Sequence, residues 1–145
     1  MPTVFRQALM PYSARQMYDI VNDVEHYPAF LPWCAKGELL QQQGEHMLEA
    51  RILMQKGRLN HSFSTRNRMQ PGEWIHIELI DGPFRKLEGD WAFTPLADDG
   101  CKIELKLEFE FSSRLVSALI GPVFTQIANS LVDAFCQRAH QLYRG

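Results

Sequence analysis

The sequence predicts an α+β protein: a curved antiparallel sheet of about seven strands wrapped around a long C-terminal helix, with two short helices after the first strand. Three observations carry this. From Cys101 to Phe111, Cys101, Ile103, Leu105, Leu107, Phe109 and Phe111 alternate with Lys102, Glu104, Lys106, Glu108 and Glu110. Such alternation marks a strand with one buried face and one wet face. After Pro122, Val123, Ile127, Leu131 and Phe135 recur at i, i+4 steps, with Phe124, Ala128 and Val132 widening the stripe. That is the period of an amphipathic helix. Between them and the N-terminus, turn signals at Gly44-Glu45, Pro71-Gly72, Asp81-Gly82-Pro83 and Asp98-Asp99-Gly100 cut the chain into strand-length pieces.

The elements follow in order. Thr3 to Met10 is a first strand. Ser13 is a helix N-cap, with Ala14, Met17, Tyr18 and Val21 at helical spacing behind it. Val24 to Trp33 is a short broken helix punctuated by Pro28 and Pro32. Leu39 to Gln43 and His46 to Lys56 form a hairpin, and Leu59 to Met69, Glu73 to Ile80, Leu87 to Thr94 and Cys101 to Phe111 continue an antiparallel meander. Ser112 or Ser113 caps a helix that Gly121-Pro122 interrupts, and Pro122 suits the first turn of a second helix. From Pro122 to Arg144 that helix spans about 34 Å, and the Cys101–Phe111 strand spans roughly 35 Å. Sheet and helix each have one apolar side and must bury it on the other. A twisted sheet curls, and a straight helix cannot fill its hollow, so an internal cavity is expected.

The chain has 145 residues, which fits a single domain over 1–145, with 46% hydrophobic and 22% charged residues. Net charge is −2 and mean hydropathy −0.25. These values exclude a disordered chain, and no overall charge steers the molecule to DNA or anionic lipid. No apolar run reaches the roughly 20 residues of a membrane span. The N-terminus has no basic-then-apolar signal, so the expected location is cytoplasmic, with membrane-peripheral contact as the only variant. Three cysteines with no CxxC spacing exclude a disulfide framework and a zinc cage, and the five histidines show no metal-ligand spacing. No metal, no catalytic motif and no required cofactor are expected.

Two features remain. Aromatic residues crowd Tyr27-Pro28-Ala29-Phe30-Leu31-Pro32-Trp33, as a lid over one end of the core or as the mouth of a cavity for an apolar ligand. Residues 51–70 contain Arg51, Lys56, Arg58, Arg66 and Arg68 and no Asp or Glu. This stretch is either a solvated outer face balanced by acidic neighbours such as Glu49 and Glu78 or a phosphate-tracking stripe for RNA.

Pro11-Tyr12-Ser13-Ala14 followed by Met17 to Pro28, then Phe30-Leu31-Pro32-Trp33-Cys34, resembles the opening of the START-like coenzyme Q-binding and RatA proteins of the polyketide cyclase-like superfamily. Phe63 to Asn67, Asp81-Gly82-Pro83-Phe84 with Leu87 to Trp91, and Phe124 to Phe135 with Arg138-Ala139 also look like that family. The resemblance implies a helix-grip fold, a sheet gripping the C-terminal helix around an apolar cavity. It implies two activities. One is non-enzymatic binding of a hydrophobic small molecule, ubiquinone or another isoprenoid lipid, in support of respiration, with transient membrane contact. The other is a toxin that binds the large ribosomal subunit and blocks subunit association. Quinone binding is taken as the main reading and ribosome association as the alternative. For the first, the expected lining is Phe63, Trp91, Phe93, Phe109, Phe124, Ile127, Leu131 and Phe135, with Tyr27, Phe30 and Trp33 at the mouth and Asn67 bonding a quinone oxygen. For the second, the expected surface is Lys56, Arg58, Arg66 and Arg68. An enzyme is not expected, because the inward face of the Cys101–Phe111 strand holds only Cys, Ile, Leu and Phe and no acid–base pair.

Overall fold

The computed structural model describes residues 3–143. Its strands are β1 (Thr3–Met10), β2 (Cys34–Gln43), β3 (Met47–Lys56), β4 (Leu59–Gln70), β5 (Trp74–Asp81), β6 (Phe84–Pro95) and β7 (Cys101–Phe111). Its helices are α1 (Ala14–Asn22) and α2 (Arg114–Tyr143), and a 3₁₀ segment covers Val24–Ala29. The strands form one antiparallel sheet in the order β1-β7-β6-β5-β4-β3-β2. Hairpins join β2 to β7 in chain order, and β1 closes on β7 with Thr3 opposite Glu108 and Met10 opposite Cys101. The helix-grip expected from the sequence is the observed fold.

Sequence and structure agree where alternation is clean and differ where it breaks. β2 begins at Cys34, not Leu39. Register shifts at Cys34/Lys36 and Leu39/Gln41 scramble its alternation, so periodicity cannot find its start. β6 begins at Phe84, not Leu87, for the same reason: a shift lies between Phe84 and Lys86. The larger correction is α2. It runs unbroken for 30 residues through Gly121-Pro122, where an interruption was expected. Pro122 and Ala118 both lie on the exposed side of the helix. The Ala118 carbonyl that loses its i→i+4 partner therefore faces solvent instead of the core. Gly121, on the opposite side, lets the Phe111 ring approach. The expected helix end at Arg144 lies outside the described residues.

Ser13 caps α1 as a capping box: its Oγ accepts from the Gln16 N–H at 3.1 Å, and the Ser13 N–H donates to Gln16 Oε1 at 2.9 Å. Ser13→Ala is expected to cost about 1 kcal/mol in a urea titration. The far end of α2 is tied to this region through the Tyr12 hydroxyl on His140 Nδ1 at 2.7 Å and the Tyr143 hydroxyl donating to the Gln16 carbonyl at 3.2 Å. The 3₁₀ segment lies against β2 at Gly37, where an added Cβ would sit 2.2 Å from the Val24 carbonyl oxygen. Only glycine permits that approach, and it fixes the segment that carries Tyr27. The buried side chains form one core between the concave sheet face and the inward stripe of α2.

Candidate functional site

The concave face of the sheet does not fill completely. A cavity of about 110 Å³ remains between it and α2. The strands supply Ala50, Ile52 and Met54 from β3, Phe63, Thr65 and Asn67 from β4, Ile77 from β5, Leu87 and Trp91 from β6, and Leu107 from β7. Helix α2 supplies Phe124, Ile127, Ala128, Leu131 and Phe135, and Val24, Tyr27 and Trp33 close one end.

Of the residues expected at this site, Tyr27, Trp33, Phe63, Asn67, Trp91, Phe124, Ile127, Leu131 and Phe135 stand in its wall. Phe93, Phe109 and Phe30 do not. Phe93 packs edge-on against Tyr18 of α1, and that helix covers its end of β6. Phe109 is fully buried against Phe111 and Phe124, in solid core. Phe30 lies behind Phe135 at 5.5 Å between ring centres, with the Arg138 guanidinium over its other side. Phe93 and Phe109 sit on the correct sheet face, but alternation marks the face and not the place along it where packing fails. Phe30 follows the 3₁₀ segment, where no strand period applies. Thr65 was missed although it lies between Phe63 and Asn67 at the same period, because a lone Thr in a strand carries no apolar signal.

Tyr27 is a wall residue with a tether. Its hydroxyl donates to the Val21 carbonyl at the end of α1. Burial pushes its phenol well above the ordinary value, so it stays neutral and acts as a donor. Among the described residues in the cavity wall, none is Asp, Glu, His, Lys or Arg. The wall therefore offers no pair for acid–base chemistry.

The second candidate surface lies on the opposite, convex side of the sheet. Arg66 and Arg68 project outward from β4, as expected. Arg66 is neutralised: its Nε and Nη2 donate to Glu49 Oε2 at 3.0 and 2.9 Å across the β3–β4 pair. Arg68 is exposed and makes no ion pair among the described residues. Arg58, in the turn between β3 and β4, is exposed roughly 33 Å from Arg68 along the strand. Lys56, exposed at the end of β3 opposite buried Leu59, has the parity of the inward Ala50, Ile52 and Met54 and, against expectation, does not join this face. Arg51, opposite Ser64, lies in the span between these ends and is likewise exposed. The cations thus form a long stripe with Arg51 inside it, not one cluster.

On the neighbouring strands the convex face turns acidic. His76 of β5 bonds Asp90 Oδ1 through Nδ1 at 2.6 Å, with Glu78 and Glu88 at 3.3 and 3.6 Å from Nε2. The Asp90 hydrogen bond raises the imidazole above its ordinary value of 6.5 despite partial burial. A raised folded value means the stabilisation is complete below 6.5 and is lost as pH rises through the folded value. The unfolding free energy is therefore expected to fall as pH is raised above 6.5, and His76→Gln is expected to remove that fall.

One further surface is apolar. The stretch Leu115–Val132 of α2 carries no charged residue, yet Leu115 and Leu119 are exposed. By length and composition α2 is the one helix among the described residues that suffices to cross a membrane, although its inward stripe closes the core.

Comparison with known proteins joins these surfaces to a family. The family model for polyketide cyclase/dehydrase and lipid transport proteins matches residues 10–136. The ribosome association toxin RatA of Pseudomonas aeruginosa is 49% identical over 138 residues, 95% of each chain. The mitochondrial coenzyme Q-binding protein of Drosophila melanogaster is 27% identical over 94% of this chain and 57% of its own. Among solved structures, the Zhui aromatase/cyclase of a Streptomyces species superposes with a TM-score of 0.85 over 99% of this chain and 96% of its own, at 15% identity. That last likeness is one of fold. The chain belongs to the polyketide cyclase/dehydrase and lipid transport family and, within it, to the RatA group.

Proposed function

We propose that the protein binds the large ribosomal subunit through the convex face of β3 and β4, blocks association of the two subunits and so restrains translation, without catalysing a reaction. This reverses the order of the two readings drawn from the sequence. The observation that carries it is the 49% identity to a ribosome association toxin over 95% of both chains. The geometry adds a surface of fitting chemistry, the stripe from Arg58 through Arg51 to Arg68. An extended row of cations suits a phosphate backbone better than a point ligand. The wall of the cavity, with no titratable pair, favours binding over turnover. A ribosomal partner places this work in the cytoplasm. The test is sedimentation with separated ribosomal subunits in sucrose gradients. Co-migration with the large subunit, with fewer joined ribosomes, is expected, and migration at the top of every gradient would refute the reading.

The cavity favours a second, compatible activity, binding of an apolar ligand of isoprenoid quinone type. Its size sets a limit. An apolar cavity of about 150 Å³ takes one benzene, and this one is about 110 Å³. A ring can enter with slight expansion, whereas an isoprenoid tail exceeds the cavity and must extend past its half-buried wall residues, Tyr27, Phe63, Ile77 and Leu131. Carriage of such a ligand would bring the exposed Leu115 and Leu119 to a membrane surface. Organic extraction of protein purified from its own cells, read by mass spectrometry, tests this. A stoichiometric quinone supports it and an empty extract removes it.

A further inference from the structure

Apart from the Tyr27 hydroxyl, which is bonded to the Val21 carbonyl, and the indole N–H groups of Trp33 and Trp91, the polar side chains of the cavity wall stand at one place. Thr65 and Asn67, two residues apart on β4, both turn inward and are 5% and 8% exposed. They are bonded to each other: the Thr65 hydroxyl donates to Asn67 Oδ1 at 2.9 Å. That bond occupies the Asn67 carbonyl and fixes the amide. Asn67 Nδ2 makes no hydrogen bond among the described residues, and its two N–H donors are left beside the void. Nδ2 is not sealed off, so water or a ligand acceptor in the cavity can reach it, and a ligand that displaces that water without accepting from Nδ2 loses a hydrogen bond.

We infer that Thr65 and Asn67 form a donor anchor that selects a neutral, ring-sized apolar molecule bearing one acceptor oxygen, a ketone, quinone carbonyl, ester or ether. The inference rests on the cavity-ligand reading and narrows it by charge and polarity. A hydrocarbon of the same shape leaves Nδ2 unpaired. A carboxylate finds donors but no cation: among the described wall residues there is none to offset its lost hydration. Free fatty acids are therefore outside the class. The placement is also fixed. Asn67 is opposite Leu48 on one side and Ile77 on the other, in the middle of the sheet. The acceptor must thus meet the sheet floor, with the rest of the molecule directed toward α2 and the mouth.

Three probes of one shape test this: acetophenone, ethylbenzene and benzoate, titrated into isotopically labelled protein and followed by NMR. Acetophenone is expected to shift the Asn67 side-chain amide resonances, and ethylbenzene to shift only the apolar wall. Benzoate is expected to shift neither. In Asn67→Leu the ratio of acetophenone to ethylbenzene affinity is expected to fall about tenfold, with ethylbenzene binding retained. The comparison of ratios removes the different solubilities of the two probes. The wild-type Asn67 signals give a reading that stands even if the variant fails to fold. An unchanged ratio, or an Asn67 amide that ignores the ketone while the wall responds, overturns the anchor and leaves the cavity reading standing. Benzoate bound more tightly than acetophenone also overturns the anchor. No response to any probe overturns the anchor and the cavity reading together.

Discussion

Replacing Arg51 and Arg68 together by Glu is expected to weaken binding to the large ribosomal subunit about a hundredfold while leaving the fold intact. Both side chains are exposed, and neither makes an ion pair among the described residues. Arg68→Glu should change folding stability by no more than about 0.5 kcal/mol, whereas Arg51→Glu sets a carboxylate opposite Glu38 on β2 and should cost up to about 1 kcal/mol, which leaves the protein folded. In the proposed docking each meets a phosphate. A hydrogen bond to a charged group contributes about 1.5–3 kcal/mol, so removing two should weaken binding about a hundredfold or more, and the reversed charge adds repulsion. The slope of log affinity against log salt should also become shallower by roughly 2. Arg66, although it belongs to the same strand face, is the poorer probe. Arg66→Glu would set a carboxylate against Glu49, at the place where two guanidinium N–H groups now converge on one Glu49 oxygen. Any loss of binding there would be mixed with strain in the β3–β4 pairing. The measurement is equilibrium binding of labelled protein to purified subunits, with urea unfolding of the same variant as the control.

The largest stability effect is expected at Phe135. Its ring is fully buried and sits edge-on to Tyr27, Phe30 and Trp91 at 5.4, 5.5 and 5.4 Å between ring centres. It thereby joins the 3₁₀ segment, α2 and β6 in one contact. Phe135→Ala removes that junction and enlarges a void that already exists. The cost is expected to be about 3–5 kcal/mol, which lowers the thermal midpoint by about 10 °C. Leu142→Ala, on the same helix but exposed, should change the midpoint little. A small effect at Phe135 would mean that the aromatic junction is not what seats α2 on the sheet.

Most of the fold was legible because this sheet obeys simple periodicity. β7 is the clearest case: buried and wet residues alternate from Cys101 to Phe111, and its observed bounds are those expected. β1 agrees equally well. What failed, failed for identifiable reasons. The bulged edge strand β2 has no steady period. Gly121-Pro122 carries the local chemistry of a break, but its exposed placement makes the break unnecessary.

The cavity was legible as a consequence of twist but not residue by residue. Trp91 and Phe93 are neighbours on one face and stack on each other, yet only Trp91 meets the void. Where the hollow lies depends on how α1 and α2 cover the sheet, and a strand's own pattern holds no record of that. The ion pair of Arg66 with Glu49 was within reach of the sequence. Counting outward from the turn at Gly57-Arg58, with Lys56 opposite Leu59, sets Glu49 opposite Arg66. The same count sets Arg51 opposite Ser64 and puts it in the stripe.

The central claim, that a phosphate-facing stripe on β3 and β4 docks this protein on the large ribosomal subunit, is tested most directly by one titration. Affinity of the wild-type protein for purified large subunits should be measured at several salt concentrations, beside the Arg51→Glu/Arg68→Glu variant. Steep weakening with salt is expected for the wild type, and a shallower slope with about hundredfold weaker binding for the variant. Binding that is indifferent to salt, or equal for the two proteins, would contradict it.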